Sequence, residues 1–282
     1  MPLHEARRVF NQFEPLLGPK PDVRRVEDHQ LDDGFRVRLY ANGEPPQPVV
    51  MYFHGGGWVL GDLESHDPLC RRLAVDSGCT IVSVDYRLSP ESPFPGPVNE
   101  CFNATTWVVE NAARLNIDAT RIAVAGDSAG GHLALAVCLK ARDSGGPPIK
   151  LQTLLYPVVE PDFETESYRS FADGYGLTRE TMRWFWGQFL GSQSPSPLAT
   201  PLHAATMAGL PPAIIVTAEY DVLRDEATTL IQRLHRDGVE AEHHACDGML
   251  HGFIHFAGFF ETGLRVGQTI AHEIGERLRS FA

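Results

Sequence analysis

A serine set among very small residues carries the strongest chemical signal in the sequence. Residues 126–130 read Gly-Asp-Ser-Ala-Gly and fit G-x-S-x-G, a sharp strand-to-helix turn that holds a serine hydroxyl above a sheet. An apolar run precedes the motif and a helical pattern follows it, as such a turn requires. Glycines on either side avoid the clash that larger side chains would cause. The pattern predicts Ser128 as a nucleophile; the simpler alternative is a glycine-rich connection with an incidental serine.

A serine hydroxyl attacks efficiently only when a base removes its proton and an acid orients that base. With this type of turn, the order along the chain is serine, acid, histidine, and each partner lies just beyond a strand. Asp221 lies in the loop after the apolar run 212–218 and is favoured as the acid, with Glu219 as the alternative. His251 follows a turn signal after the last strand-like run and is predicted as the base.

A run of three glycines supplies a second group of hydrogen-bond donors. The stretch FHGGGW, residues 53–58, directly follows a strand-like run and matches the loop that complements the serine turn. The amides of Gly56 and Gly57, with that of Ala129 at the start of the next helix, are predicted to form an oxyanion hole. His54 is expected to brace this loop. The alternative is a merely flexible glycine turn.

Two other kinds of site are not favoured by the spacing of residues. His251 and His255 are four residues apart, but the stretch between them lacks the glutamate of H-E-x-x-H, so a zinc pair is not predicted. The serine turn contains no G-x-x-x-x-G-K-[ST] phosphate loop, because no lysine follows its glycines. The turn is therefore not predicted to be a nucleotide-binding phosphate loop.

The composition is that of an ordinary globular protein. The chain has 282 residues, of which 43% are hydrophobic, enough for a single α/β domain. Its formal net charge of −12 argues against nucleic acid and against anionic membrane surfaces as partners. The sequence has neither an apolar stretch near the ~20 residues of a membrane span nor the apolar run of a signal peptide at its start. We expect a cytoplasmic location, with the five cysteines as reduced thiols, since they form no CxxC pair.

The elements that must position these residues alternate along the chain. Nearly continuous apolar runs separated by helical patterns indicate strands covered on both faces, and hence a mostly parallel sheet. The predicted strands are 36–40, 49–53, 80–86, 121–126, 149–156, 212–218 and the weaker 240–246. The predicted helices are 66–77, 97–115, 129–142, 224–237 and 264–281.

Two segments, residues 1–30 and 158–208, fall outside this alternation and are interpreted as a cap over the carboxyl edge of the sheet. The second contains an aromatic-rich helix opened by Thr178. The aromatic side chains predicted to form an apolar wall beside the substrate are Trp184, Phe185, Trp186 and Phe189. Because adjacent aromatics cannot all face inward, core packing is the alternative for each of them. An exposed edge strand near 240–246 would permit a homodimer.

Together the motifs resemble those of the hormone-sensitive lipase-like serine esterases of the α/β-hydrolase superfamily. The matching stretches are HGGGW, GDLESHDPLCRRLA, DYRLSPESPFP, GDSAGG, YDVLRDE and HGF, in family order from about residue 49 to 255. The resemblance implies an eight-stranded mostly parallel sheet with a helical cap, and a triad of Ser128, Asp221 and His251. It also implies hydrolysis of small-molecule carboxylic esters, often of short to medium acyl chains, without metal or organic cofactor. The stretch before HGGGW is shorter than the family usually has.

Two other functions share these features. An amidase, or a deformylase acting on aryl formamides, would use the same triad, because the triad does not separate esters from amides. A non-catalytic small-molecule receptor is the second alternative, although such receptors typically lose the base and His251 is present. Comparing a matched ester and anilide tests the first alternative, and covalent labelling of Ser128 tests the second.

Overall fold

The described part of the chain is built around one sheet of eight strands. The computed structural model describes residues 2–31 and 34–281. The strands are β1 Arg25–Gln30, β2 Arg36–Ala41, β3 Gln47–Phe53, β4 Thr80–Asp85, β5 Ile117–Asp127, β6 Ile149–Leu155, β7 Ala213–Tyr220 and β8 Ala241–Leu250. Their order across the sheet is β1-β2-β4-β3-β5-β6-β7-β8. β2 is antiparallel to both neighbours and the other pairs are parallel, which confirms the mostly parallel sheet.

Helices connect the parallel strands. The helices of the described residues are α1 Leu3–Asn11, α2 Asp67–Ser77, α3 Gly96–Glu110, α4 Ala112–Leu115, α5 Ala129–Ser144, α6 Glu166–Ser170, α7 Arg179–Leu190, α8 Arg224–Arg236 and α9 Glu261–Ser280. The helix predicted over 97–115 is divided at Asn111 into α3 and α4. Within the described ranges, no helix has the length and apolar character needed to cross a lipid bilayer.

Both faces of the sheet are covered, which is why its central strands read as unbroken apolar runs. Alternate side chains of β3 belong to different hydrophobic clusters, with Val49 and Met51 in one and Val50 and Tyr52 in the other. The first cluster includes side chains of α3, α5 and α8, and the second includes side chains of α2 and α9. The sheet is therefore sandwiched between two helical layers, and the carboxyl ends of its strands are left for the loops that carry the candidate site.

β1 corrects the interpretation of residues 1–30 as cap. Arg25–Gln30 pairs with β2 and forms the edge of the sheet, so only the residues before it remain available for a cap. The sequence does not predict this strand, because RVEDHQ has a single strongly apolar residue; in the structure it alternates between half-buried and exposed positions. An edge strand with one solvated face needs no continuous apolar run.

The long insertion between β6 and β7 contains α6 and α7. Thr178 is the N-cap of α7, as predicted, and its hydroxyl oxygen accepts a hydrogen bond from the Thr181 amide at 3.1 Å. The buried face of α7 carries Met182, Trp186 and Phe189, which are spaced at helical intervals and pack into the larger cluster. This packing fixes the helix against the body of the protein beside the glycine loop after β3.

Candidate active site

The serine turn joins the end of β5 to the start of α5. Ser128 has a φ of 56°, a left-handed conformation that is strained for a residue with a β-carbon, and its amide donates to the Leu155 carbonyl at 2.8 Å. A β-carbon at Gly130 would overlap the carbonyl of Phe53, and one at Gly126 would overlap the backbone of Gly130. The two glycines therefore allow α5 to start directly against the end of β3, which holds the turn in its sharp geometry.

His251 lies between Ser128 and Asp221. Its Nε2 is 3.0 Å from the Ser128 Oγ, and its Nδ1 is 2.7 Å from the Asp221 Oδ2. The other Asp221 oxygen accepts a hydrogen bond from the Leu223 amide at 2.9 Å, so both oxygens of this buried carboxylate are engaged. The ring of Tyr156 packs edge-on to the imidazole, with centroids 4.9 Å apart. The three side chains form one continuous hydrogen-bonded chain, although they come from three separate loops.

Glu219, the alternative acid, has a different partner. Its Oε2 accepts a hydrogen bond from the Gly248 amide at 2.7 Å, which links the ends of β7 and β8. Of the two candidate acids, the structure thus brings Asp221 to His251 and bonds Glu219 to the neighbouring strand β8.

The glycine loop after β3 lies beside the serine. Gly56 and Gly57 line the same cavity as Ser128, and both have positive φ, 106° and 61°. Among the backbone hydrogen bonds of the described residues, neither glycine amide donates to a protein acceptor. A β-carbon at Gly57 would overlap the ring of Phe185, so glycine is needed for the close approach as well as for the backbone conformation. Ala129 is the first residue of α5, where amides have no intrahelical acceptor and the helix dipole favours negative charge.

Asp127 is a functional residue that the sequence motifs do not single out, and it connects the serine turn to the glycine loop. The Asp127 Oδ1 accepts hydrogen bonds from the Gly55 amide at 3.0 Å and the Tyr52 hydroxyl at 2.7 Å, and His66 Nε2 lies 3.4 Å away. Burial opposes ionisation of this carboxyl, but His66, His255 and the Tyr52 hydroxyl outweigh it and lower its pKa below the usual value. The position next to the serine was the available signal, but its partners are distant in sequence.

His54 braces the glycine loop through the backbone. Its Nδ1 lies 2.9 Å from the Gly55 carbonyl, and its own carbonyl accepts a hydrogen bond from the Tyr86 hydroxyl at 2.8 Å. The rings of His54 and Tyr86 are stacked, with centroids 4.2 Å apart. Burial lowers the pKa of His54 to about 4, so the imidazole is neutral at ordinary pH.

No metal cluster accompanies the candidate nucleophile in the described part of the chain. There, the only group of three close metal-ligating side chains is Glu242, His244 and Glu273, and Arg277 forms ion pairs with both glutamates. His255 stacks on His66, with centroids 4.2 Å apart, and is not paired with His251.

A cavity of about 440 Å³ adjoins the triad. Ser128 and His251 lie in its wall together with the glycine loop, and the rest of the lining is mainly apolar. The aromatic residues of that lining come from α1 and the turn after it, from α7, and from the segment before α9: Phe10, Phe13, Phe185, Phe256, Phe259 and Phe260. The cavity therefore favours an uncharged ligand with an apolar body.

The predicted aromatic wall is corrected by the structure. Trp186 and Phe189 are buried against Trp58, at centroid distances of 4.8 and 4.2 Å, and they do not belong to the described lining of the cavity beside Ser128. Trp184 lines a neighbouring cavity of about 390 Å³. Phe185 lines both cavities. The reason is helical geometry: the face with Trp186 and Phe189 packs inward, and only the edge with Phe185 borders the site.

The parallel sheet, the serine turn and the hydrogen-bonded chain together define an α/β-hydrolase. A sequence profile for the alpha/beta hydrolase fold matches residues 50–255, most of the chain. The chain belongs to this family and, within it, to the hormone-sensitive lipase-like carboxylesterases. It is accordingly a carboxylic ester hydrolase.

Relatives support this assignment across nearly the whole length. The chain is 44% identical over 215 residues to the esterase LipI of Mycobacterium tuberculosis, covering 75% of this chain and 67% of LipI. It is 43% identical over 265 residues to the carboxylesterase NlhH of the same organism, covering 89% and 82%. The solved structure of a thermostable esterase from Pseudomonas putida ECU1011 superposes with a TM-score of 0.93 at 36% identity, covering 99% of this chain and 91% of that one.

Proposed function

We propose that Ser128, His251 and Asp221 are the catalytic triad of this esterase, and that hydrolysis passes through an acyl-enzyme. The observation that carries the proposal is the continuous chain of hydrogen bonds from the Ser128 hydroxyl through His251 to the Asp221 carboxylate, at 3.0 and 2.7 Å. Each distance is within the range for proton transfer or for orientation of a base.

In acylation, the Ser128 Oγ forms a bond to the ester carbonyl carbon while its proton passes to His251 Nε2. The Asp221 carboxylate holds the proton on His251 Nδ1, which keeps Nε2 free to accept, and stabilises the imidazolium that results. When the tetrahedral intermediate collapses, the bond between the carbonyl carbon and the alcohol oxygen breaks. His251 returns its proton to that oxygen, and the alcohol departs. The acyl group remains bonded to the Ser128 Oγ as a neutral acyl-enzyme.

In deacylation, water takes the place of the alcohol. His251 Nε2 accepts a proton from the attacking water, whose oxygen bonds to the acyl carbon. The bond from that carbon to the Ser128 Oγ then breaks, and His251 returns the proton to Oγ. The net reaction consumes one water and releases one carboxylic acid and one alcohol.

The charge that develops on the carbonyl oxygen needs donors already in position. The amides of Gly56, Gly57 and Ala129 are proposed as the oxyanion hole, supported by the free glycine amides beside Ser128 and by the start of α5. Donors of this type stabilise the transition state more than the substrate, and removal of one typically costs ~10²–10³ in turnover.

The proposed substrates are uncharged esters of short to medium acyl chains. The apolar lining and the volume of about 440 Å³ support this range, because the cavity must hold the acyl group and the alcohol together. We propose that α1 and residues 158–208 act as the cap that covers it, since Phe10 and Phe185 lie in its wall. A series of p-nitrophenyl esters from acetate to palmitate tests the range, and a matched ester and anilide test the preference for esters.

Replacement of the nucleophile tests the mechanism. The Ser128→Ala variant is expected to lose turnover of p-nitrophenyl acetate by several orders of magnitude while its thermal unfolding remains close to that of the wild type. Near-native turnover in a folded Ser128→Ala protein would refute the assignment of the nucleophile.

We also propose a cytoplasmic location. All five cysteines are free thiols, and four of them are buried, which is usual in reducing compartments. Cell fractionation with an antibody against the protein tests this, and recovery in an extracellular or membrane fraction would contradict it.

A homodimer through β8 is proposed as well. β8 is the last strand of the sheet, so its outer edge carries unpaired backbone groups that a second copy could pair with. Sedimentation analysis across a wide range of concentrations tests the proposal, and a monomer at every concentration would reject it.

A further inference from the structure

The N-terminal helix borders three cavities. Phe10 of α1 and Phe13 in the following turn line the cavity at Ser128, the neighbouring cavity of about 390 Å³ and a third of about 360 Å³. This helix and the turn after it therefore form part of the wall of the apolar space beside the triad.

A helix of this kind needs anchoring from outside. α1 has nine residues, and its N-cap residue Pro2 makes no side-chain capping hydrogen bond. Among the helix residues whose burial is described, only Ala6 is buried. Helices this short are marginal in isolation, so tertiary contacts must hold α1 in place. Leu3 and Phe10 pack on the larger cluster but remain partly exposed.

Hydrogen bonds to its backbone carbonyls fix the chain just after α1. The Gly258 amide donates to the Leu16 carbonyl at 3.0 Å, and the Arg72 guanidinium donates to the carbonyls of Leu17 and Pro19 at 2.8 and 2.9 Å. This end of the segment is secured, and the helix itself extends from it over the cavities.

Arg7, in the middle of α1, anchors the helix itself through polar contacts. Its Nε donates to the Val59 carbonyl at 3.0 Å and its Nη2 to the Ser89 carbonyl at 3.3 Å, while Nη1 and Nη2 each donate to a Glu91 carboxylate oxygen at 2.8 Å. Among the side chains described for residues 2–15, Arg7 alone donates hydrogen bonds to the rest of the protein. Val59 directly follows the glycine loop, so Arg7 ties α1 to the loop proposed to bind the oxyanion.

We propose that Arg7 is a positioning residue for substrate selectivity: it holds α1 so that Phe10 and Phe13 form an apolar wall for the larger esters. This inference rests on the proposed function, because selectivity is measured on turnover at Ser128. Loss of Arg7 releases the helix and weakens binding of long apolar groups. The smallest esters need mainly the triad and the glycine loop, so their turnover is retained.

The test compares Arg7→Ala with a matched control, Arg8→Ala, on the same helix. Arg8 is exposed and carries the same charge, but no hydrogen bond or ion pair of its side chain is found among the described residues. Glu91→Gln is the second variant, because it removes the ion pair and leaves Arg7 its two carbonyl acceptors. The Arg7 side chain is half-buried and the Glu91 side chain is exposed, and substitutions at such surface positions usually leave a protein folded.

Two pairs of esters measure selectivity. p-Nitrophenyl hexanoate and p-nitrophenyl acetate differ in the acyl group, and hexyl acetate and ethyl acetate differ in the alcohol. In Arg7→Ala we expect KM for at least one of the two larger esters to rise about five- to tenfold, with ethyl acetate changed less than about twofold. Glu91→Gln is expected to show a smaller change in the same direction, and Arg8→Ala none. Equal changes for large and small esters, or equal effects of Arg7→Ala and Arg8→Ala, would overturn the proposal.

Amide hydrogen exchange over α1 provides a readout that is independent of catalysis. Exchange of residues 3–13 is expected to quicken in Arg7→Ala and to remain as in the wild type in Arg8→Ala. Unchanged exchange in Arg7→Ala would overturn the anchoring role. Failure of the proposed function would instead show as Ser128-independent turnover with the exchange result intact, so the two failures are distinguishable.

Discussion

The Asp127 carboxylate accepts a hydrogen bond from the Gly55 amide at 3.0 Å, so the residue before the nucleophile is bonded directly to the glycine loop after β3. A β-carbon at Gly55 would overlap the same carboxylate, which shows how closely the two segments approach. The serine turn and the loop proposed to bind the oxyanion are thus held as one unit. Preorganisation of this kind is what makes hydrogen-bond donors effective in a transition state.

Replacement of Asp127 should therefore reduce turnover more than substrate binding. Asp127→Asn retains an acceptor oxygen but loses the charge, and we expect kcat to fall about 10- to 100-fold with KM changed less than threefold. Tyr52→Phe is the matched control, because it removes the second donor to the same carboxylate and leaves the Gly55 bond, so its effect should be smaller. A kcat for Asp127→Asn close to that of the wild type would contradict the coupling.

Gly57 is expected to tolerate no side chain. Gly57→Ala places a β-carbon at a φ of 61° and against the Phe185 ring, so we expect the loop to shift and kcat on p-nitrophenyl acetate to fall by roughly 10²–10³. The double variant Gly57→Ala/Phe185→Ala removes the steric clash but not the backbone strain, and should recover part of the loss. Kinetics of the two single variants and the double variant measure this coupling, and strictly additive effects would argue against it.

Substitution of the two acids near the end of β7, Asp221 and Glu219, should have very different effects on kcat. Asp221→Asn loses the charge that orients His251, and we expect kcat to decrease by roughly 10²–10⁴. Glu219→Gln still accepts the Gly248 amide, so its kcat should remain within about threefold of the wild type. Steady-state kinetics decide between them, and the reverse order of effects would make Glu219 the acid.

Stability in acid should depend on His132. The Trp58 indole N–H donates to its Nδ1 at 3.1 Å, and its Nε2 lies 3.0 Å from the Ala199 carbonyl, so the neutral ring is satisfied on both sides. Burial lowers the pKa of His132 from 6.5 to about 4. Between these pH values the unfolded chain binds the proton and the folded chain does not, so the free energy of unfolding declines on acidification, by up to about 3 kcal/mol.

Denaturant unfolding from pH 7 to pH 4 measures this effect. His132→Asn removes one titrating group, and we expect the decline in the free energy of unfolding over this range to become shallower, whatever the change in absolute stability. His54, whose pKa burial also lowers to about 4, contributes a similar decline that the variant retains. A pH dependence identical to that of the wild type would contradict the role given to His132.

Much of the framework could be predicted because the relevant signals are local. A strand covered on both faces reads as an apolar run, and G-x-S-x-G lies where β5 meets α5. The expected order of serine, acid and histidine also led to Ser128, Asp221 and His251, which the structure brings within hydrogen-bonding distance. These predictions needed only the fact that the carboxyl ends of parallel strands meet at one edge.

The features of the fold and site that the sequence does not predict depend on contacts between residues far apart in the chain. The charged edge strand β1 has no apolar run, and its place in the sheet follows from pairing with β2. The sequence of α7 shows several aromatics but not which of them faces the core. The predicted place of Trp186 and Phe189 in the wall beside the substrate is therefore wrong, and both pack against Trp58. The contact of Asp127 with Gly55 spans 72 residues, and no local pattern identifies it.

Covalent labelling of the nucleophile tests the central claim most directly. We predict that a fluorophosphonate adds once per chain, that peptide mass mapping places the adduct on Ser128, and that labelling is lost in Ser128→Ala and strongly slowed in His251→Ala. An adduct on another residue, or full labelling of the folded Ser128→Ala variant, would contradict the account.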